Sequence, residues 1–174
     1  MDRRMAPGRA VSKAREILRR VGPDVPVDVE ALAETHGVSV VQQDLEDSVS
    51  GILVIKDGHG IIGVNQNHHP NRRRFTIGHE LGHYILHQKN AKVFVDASPV
   101  FFRDTASSDG MQSQEIAANA FAAELLMPED AVHEYIGNQL VDVYDDATVR
   151  RLAARFGVSV QAITIRLIRL GLAE

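Results

Sequence analysis

The sequence predicts an α+β fold that is mainly helical, with a small antiparallel sheet and a helix-turn-helix-like pair of helices at its C-terminal end. Three observations predict it. Apolar residues recur at helical spacing near both ends of the chain. A β-rich run around "DGHG" in the first half reads as a hairpin. Hydrophobic residues make up 44% of the 174, enough for a real core. Helices, then a small sheet, then helices again is an α+β order rather than an alternating α/β one.

The elements follow in turn. Residues 8–21 put Val11, Ala14, Ile17, Leu18 and Val21 on one helical face, and Gly22, Pro23 and Pro26 end that helix. Asp28 is placed to cap a second helix over 29–36, which Gly37 stops. "VSVV" (38–41) is a short strand, and "GILVIKDGHGIIGVN" (51–65) is two strands around a turn. A long helix covers 72–88. Residues 90–112, with Pro99, Asp104, Ser107, Ser108, Asp109 and Gly110, read as an irregular loop. Further helices are predicted at 113–126, 129–138, 147–156 and 160–170. The expected division is a domain over 1–146 with the helix pair 147–174 packed on it. No internal repeat or low-complexity segment interrupts this order.

Composition excludes several classes. A net charge of -4 gives no general reason to expect nucleic acid as a partner. The absence of cysteine removes disulfides, thiolate metal sites and cysteine nucleophiles together, so any metal must be held by His, Asp or Glu. The N-terminal stretch "MDRRMAPGRAVSKA" has no apolar h-region, and no run approaches a membrane span. A cytoplasmic protein without a membrane partner is expected.

The chemistry concentrates in "RRFTIGHELGHYILH" (73–87). On a helical wheel with His79 at the origin, His83 falls at about 40° and Glu80 at about 100°. Ile77, Leu81, Tyr84 and Ile85 fall on the far side, between about 140° and 240°. Two imidazoles one turn apart on one face can bind a single cation, and Glu80 is offset enough to reach the attacking water rather than the ion. This is H-E-x-x-H, whose chemistry is zinc-assisted hydrolysis with Glu80 as general base. Gly82 flanks the same face and would let another element approach closely. His87 lies about 12 Å along the axis from His79 and is read as a hydrogen-bonded or surface histidine, not a ligand. The longer H-E-x-x-H-x-x-G-x-x-H pattern fails, because Leu86 and Lys89 stand where its Gly and His belong.

A catalytic zinc wants a third protein ligand. "QEIAANAFAAELLMP" (114–128) offers Glu115 and Glu124. The wheel puts Glu115 in the small, apolar stripe with Ala118, Ala122, Leu125 and Leu126, expected to face the core. It puts Glu124 beside Ala117 and Ala120, on the expected outer side. A buried carboxylate needs a partner or a metal, so Glu115 is the expected third ligand. The competing reading pairs it with one of Arg72 to Arg74. Asn119, one turn on, is placed to orient a ligand.

"NRRRFTIGHELGHYILH" followed by "EIAANAFAAELLMP" resembles the ImmA/IrrE family of zinc metallopeptidases. The likeness extends from "LAETHGVSVV" to "VRRLAARFGVSVQAITIRLIRLGL". It implies a zincin-like peptidase core, zinc held by His79, His83 and Glu115, and catalysis by Glu80. It also implies cleavage of a helix-turn-helix transcriptional repressor, which switches on a stress response or a mobile element. Some relatives carry a further C-terminal sensory domain, which is not expected in this chain.

Four points stay open in the sequence. The donor for the oxyanion could be His133, Tyr135 or Tyr144. Residues 147–173 hold five arginines and no acidic residue, which makes a DNA-binding or repressor-binding module with a non-catalytic metal site the alternative function. Against this, "VQAITIRLIRL" offers few side chains for reading base edges, which favours packing or protein docking. A strand edge of the 51–65 hairpin could hold substrate as an added strand. "NHHP" (67–70) could form a second metal site on paper, but reads as an exposed loop.

Overall fold

The computed structural model describes residues 7–22, 24–87, 93–97, 108–137 and 139–174, with backbone alone for 93–97 and 108–109. The elements run α1 (Pro7–Val21), α2 (Val29–Thr35), β1 (Val38–Gln43), β2 (Val49–Lys56), β3 (His59–Asn65), α3 (Pro70–His87), β4 (Val93–Ala97), α4 (Ser108–Leu126), α5 (Glu129–Ile136), α6 (Asp146–Phe156) and α7 (Val160–Leu170). The class is α+β, as the residue patterns predict. Among the described residues no helix is long and apolar enough to cross a membrane.

The sheet differs from expectation in three ways. Its strand order is β1-β3-β2-β4. β1 runs parallel to β3, while β2 is antiparallel to both neighbours, so the sheet is mixed. The short strand 38–41 is separated from β3 by the whole of β2, a connection long enough for a parallel return. Both hairpin strands are interior, so the expected free hairpin edge does not exist; the outer edges belong to β1 and β4. Finally, the predicted loop 90–112 contains β4 and the first turn of α4, while 98–107 lies outside the described residues.

Local chemistry explains the elements around α3. Asp57 and Gly58 both take positive φ, 52° and 80°, in a two-residue turn that closes β2 on β3. Asn65, fully buried, donates to the carbonyls of Leu45, Glu46 and Val49 and accepts from Asn67 N–H. It thereby fixes both the loop before β2 and the turn into α3. Pro70 opens α3, with His69 Nδ1 accepting from Asn71 N–H at 3.2 Å as a cap. His68 is hydrogen-bonded to Asp47 O at 3.2 Å, so both histidines of "NHHP" serve local structure.

α3 then lies across the sheet. Ile77, Leu81 and Tyr84 face the core, and the Tyr84 hydroxyl donates to Gly58 O at 2.7 Å. The α6–α7 turn is fastened to the start of α3. Asn71 Nδ2 donates to Val158 O at 2.8 Å and Arg74 Nε to Gly157 O at 3.0 Å. Gly157 caps α6 in the left-handed region and Ser159 caps α7. Leu152, Phe156, Ile163 and Leu167 belong to the same apolar cluster as the core of α1 to α4.

Candidate active site

The site rests on how closely α3 and α4 pack. Gly78 and Gly82 lie one turn apart and face Ala122 and Ala118. A Cβ on Gly82 would stand only 3.1 Å from Phe121 Cδ1 and 3.3 Å from the Ala118 backbone. Bare backbone on one helix and alanine on the other let the two axes approach, and that approach carries Glu115 to the histidine pair. The Gly-x3-Gly spacing is legible in the sequence, where Gly82 is the glycine expected to admit a neighbouring element.

His79 and His83 are both almost fully buried, with ring centroids 4.7 Å apart. Their Nε2 atoms are 3.1 Å from each other. Glu115 closes the triangle, with Oε2 3.2 Å from His79 Nε2 and Oε1 3.0 Å from His83 Nε2. All three ligand atoms lie within 4.8 Å of one another. Burial alone would raise the Glu115 carboxyl, but its hydrogen bonds and charge interactions with the two imidazoles outweigh that and hold it far below the ordinary glutamate value. His79 Nδ1–H donates to Asn119 Oδ1 at 3.1 Å, which turns Nε2 toward Glu115.

Glu80 is completely buried, between α3 and β2. Gly51 on β2 makes that space: a Cβ there would run into Thr76 and come within 3.6 Å of Glu80 Cγ. The β-strand glycine was not read as a site residue, and its signal is a glycine interrupting an otherwise apolar strand. His87 is half-buried, its ring 5.8 Å from that of His83. Burial, then the neighbouring His83, pushes its pKa down.

Two expectations about α4 need correction. Glu115 lies on the stripe facing α3, with Ala118 and Ala122, but at its open end, where its side chain keeps 51% of its exposure. Glu124, expected outside, is 2% exposed and accepts from Arg15 Nε at 2.9 Å and from Arg166 Nη2. The physical reason is that α4 packs on α3 along one face and on α1 along another, so its two sides are both interior. The arginines offered as partners for Glu115 are used otherwise, Arg72 on Ser50, Arg73 on Gln42 and Arg74 on Gly157 and Val27.

The structure therefore brings His79, His83, Glu115 and Asn119 together. It gives the oxyanion candidates other surroundings. His133 is exposed on α5, Tyr135 packs edge-on against Phe156, and Tyr144 is 89% exposed.

A family model described as Peptidase M78, IrrE N-terminal-like domain, matches residues 33–167. The "Uncharacterized immunity region protein 2" of Bacillus phage phi105 is 30% identical over 104 residues, 60% of this chain and 61% of that protein. A Mycobacterium tuberculosis transcriptional regulator superposes with a TM-score of 0.62 at 20% identity, covering 91% of this chain and 46% of that one. At that identity the likeness is one of fold. This chain spans less than two thirds of either protein.

Proposed function

The chain belongs to the Peptidase M78 family, the IrrE N-terminal-like domain, and on that premise we propose that it is a zinc endopeptidase that cuts an intracellular helix-turn-helix repressor. The observation that carries the reading is the convergence of His79, His83 and Glu115 beside the buried Glu80. A relative named for a phage immunity region agrees with a role in repressor control.

The donor set fits zinc. Two imidazoles and one carboxylate make a three-ligand set of the catalytic kind, which leaves one position open. Ligand atoms around a tetrahedral zinc, at bonds of about 2.0–2.1 Å, stand about 3.3 Å apart. The distances here are 3.1, 3.2 and 3.0 Å. Calcium and magnesium prefer all-oxygen sites and would not select two imidazoles. When bound, zinc supplies Lewis acidity that polarises a scissile carbonyl and acidifies water.

The chain's own groups do the rest. Glu80 takes the proton of the attacking water and returns it to the leaving amine. Asn119 holds the His79 ring, so that Nε2 presents its lone pair to the centre. No step is assigned to His133, Tyr135 or Tyr144.

The alternative reading, a DNA-binding or repressor-binding module with a non-catalytic metal site, finds less support. Of the five arginines in 147–173, Arg150 pairs with Asp146, Arg151 donates to Thr148, Arg155 donates to Val25 O and Arg166 is buried on Glu124.

The test is incubation of the zinc-loaded chain with a panel of helix-turn-helix repressors, with and without a chelator, beside a Glu80→Gln variant. Cleavage that stops with chelator, and falls about 10²–10⁴-fold in Glu80→Gln while zinc stays bound, is the expected result. Undiminished cleavage by Glu80→Gln would sink the mechanism.

A further inference from the structure

A groove of about 630 Å³ opens beside the His79–His83–Glu115 cluster, between the first turns of α3, the second half of α4 and α7. Two of its lining residues belong to the site's surroundings. Phe75 stacks over His79, with ring centroids 6.5 Å apart and planes 26° apart, and Asn119 accepts the His79 hydrogen bond. The groove thus borders two side chains that touch His79.

The groove has an unusual balance for this protein. Much of its lining is apolar, including Phe75, Met127, Val158 and Ile165, and Ile165 stays 43% exposed on α7. The volume suits one or two large side chains. The chain as a whole carries -4, yet among the described residues no carboxylate lines the groove, while Arg72, Arg166 and Arg169 do. Arg166 is already matched by Glu124. Arg72 donates to the neutral Ser50 hydroxyl, and among the described residues neither Arg72 nor Arg169 makes an ion pair. Among the described residues, then, the floor is largely apolar and two rim cations face no carboxylate.

We propose that this groove seats the substrate segment next to the cleaved bond, and that it selects a large apolar side chain accompanied by an acidic residue. The word substrate rests on the peptidase reading; the binding preference does not. α7, the second helix of the helix-turn-helix-like pair, here forms one wall of the groove. A DNA duplex would find few unmatched cations there and much apolar surface, whereas an apolar side chain flanked by a carboxylate satisfies both features.

The test uses two labelled short peptides that share a central Leu, one flanked by Asp and the other by Lys. Their binding to the zinc-loaded full chain carrying Glu80→Gln is followed by fluorescence anisotropy, so that no turnover is needed. The acidic peptide is expected to bind about tenfold more tightly or better, as partly desolvated charge pairs allow. Arg169→Glu, at an exposed position that folding tolerates, should abolish that preference, and Arg169→Lys should keep most of it. Ala162→Trp, which fills the groove, should weaken both peptides together. Equal affinity for the two peptides overturns the proposal, as does a preference that survives Arg169→Glu. A mixed-sequence DNA duplex that displaces the acidic peptide at lower concentration than unlabelled peptide overturns it in favour of nucleic acid. The peptidase reading fails separately. If the unsubstituted chain cuts neither peptide while the preference holds, that reading falls and the groove stands. If both peptides are cut equally well, the peptidase stands and the groove falls.

Discussion

Two glutamates stand about two and a half turns apart on α4, and the fold treats them in opposite ways. Glu124 is 2% exposed and shared between Arg15 and Arg166, with Arg15 reaching on to Glu129. Glu115 is half-exposed and meets two imidazoles. Arginine never gives up its proton, so the Glu124 network is a fixed arrangement of charge that ties α1 and α7 to α4. Histidine exchanges protons for metal near neutral pH, so the partners of Glu115 can be traded. Of the two carboxylates on α4, the buried one is thus a structural part, and the more exposed one is the candidate for chemistry.

The sharpest way to break that contrast is to remove each carboxylate in turn. Glu115→Ala should weaken zinc binding by more than the roughly 10–100-fold that loss of an outer-shell partner causes. Its apo stability should change by about 1 kcal/mol or less, because the lost contacts are partly solvent-screened. Competition with a chromophoric chelator and urea melts of the apo protein read the two quantities. Glu124→Ala should do the reverse. It strands Arg166 in the interior and should cost about 3–5 kcal/mol in the urea melt, with the folded fraction still binding zinc normally. Replacing the pair with Glu124→Leu and Arg166→Met should recover most of that loss. A Glu124→Ala protein that melts normally but loses zinc would exchange the roles of the two residues.

Asn119 sharpens the contrast from the side of the ligands. Asn119→Ala leaves His79 in place but frees its ring to turn or change tautomer. Zinc affinity should fall by about 10–100-fold, with little change in the apo melt. A stability loss without an affinity loss would make the His79–Asn119 bond an ordinary packing contact.

The sequence made much of this legible, and its errors have one cause. His79, Glu80 and His83 could be placed together because a helix's period fixes their geometry without any knowledge of tertiary structure. Asp28 capping α2 and Gly37 ending it are equally local. The exposures of Glu115 and Glu124 went wrong because one wheel assumes one buried face. α4 has two, against α3 and α1, and only the layer order decides which of them Glu124 meets. The parallel β1–β3 pairing was missed for a like reason: strand propensity says nothing about the neighbour or its direction. Asn65 left no signal, since its role depends on three carbonyls from residues 45–49 arriving around it.

The smallest effect tests whether the meeting of Glu115 with the histidines depends on how closely the helices approach. Gly78 and Gly82 both face α4, yet their tolerances should differ. A methyl group on Gly78 would lie 3.5 Å from Ala122 Cβ, an ordinary contact. Gly78→Ala should therefore be neutral, or stabilising by up to about 1 kcal/mol through helix propensity. A methyl group on Gly82 would press on Phe121 at 3.1 Å and on the Ala118 backbone at 3.3 Å. Phe121 is fully buried and cannot swing aside, and backbone does not yield at all without moving the helix. Gly82→Ala should cost about 1–3 kcal/mol in a urea melt, and should weaken zinc binding as well, because α4 backs away one turn from Glu115. Equal melts and equal zinc affinities for the two variants would mean that the carboxylate reaches the histidines by side-chain freedom, and that close helix packing does not position it.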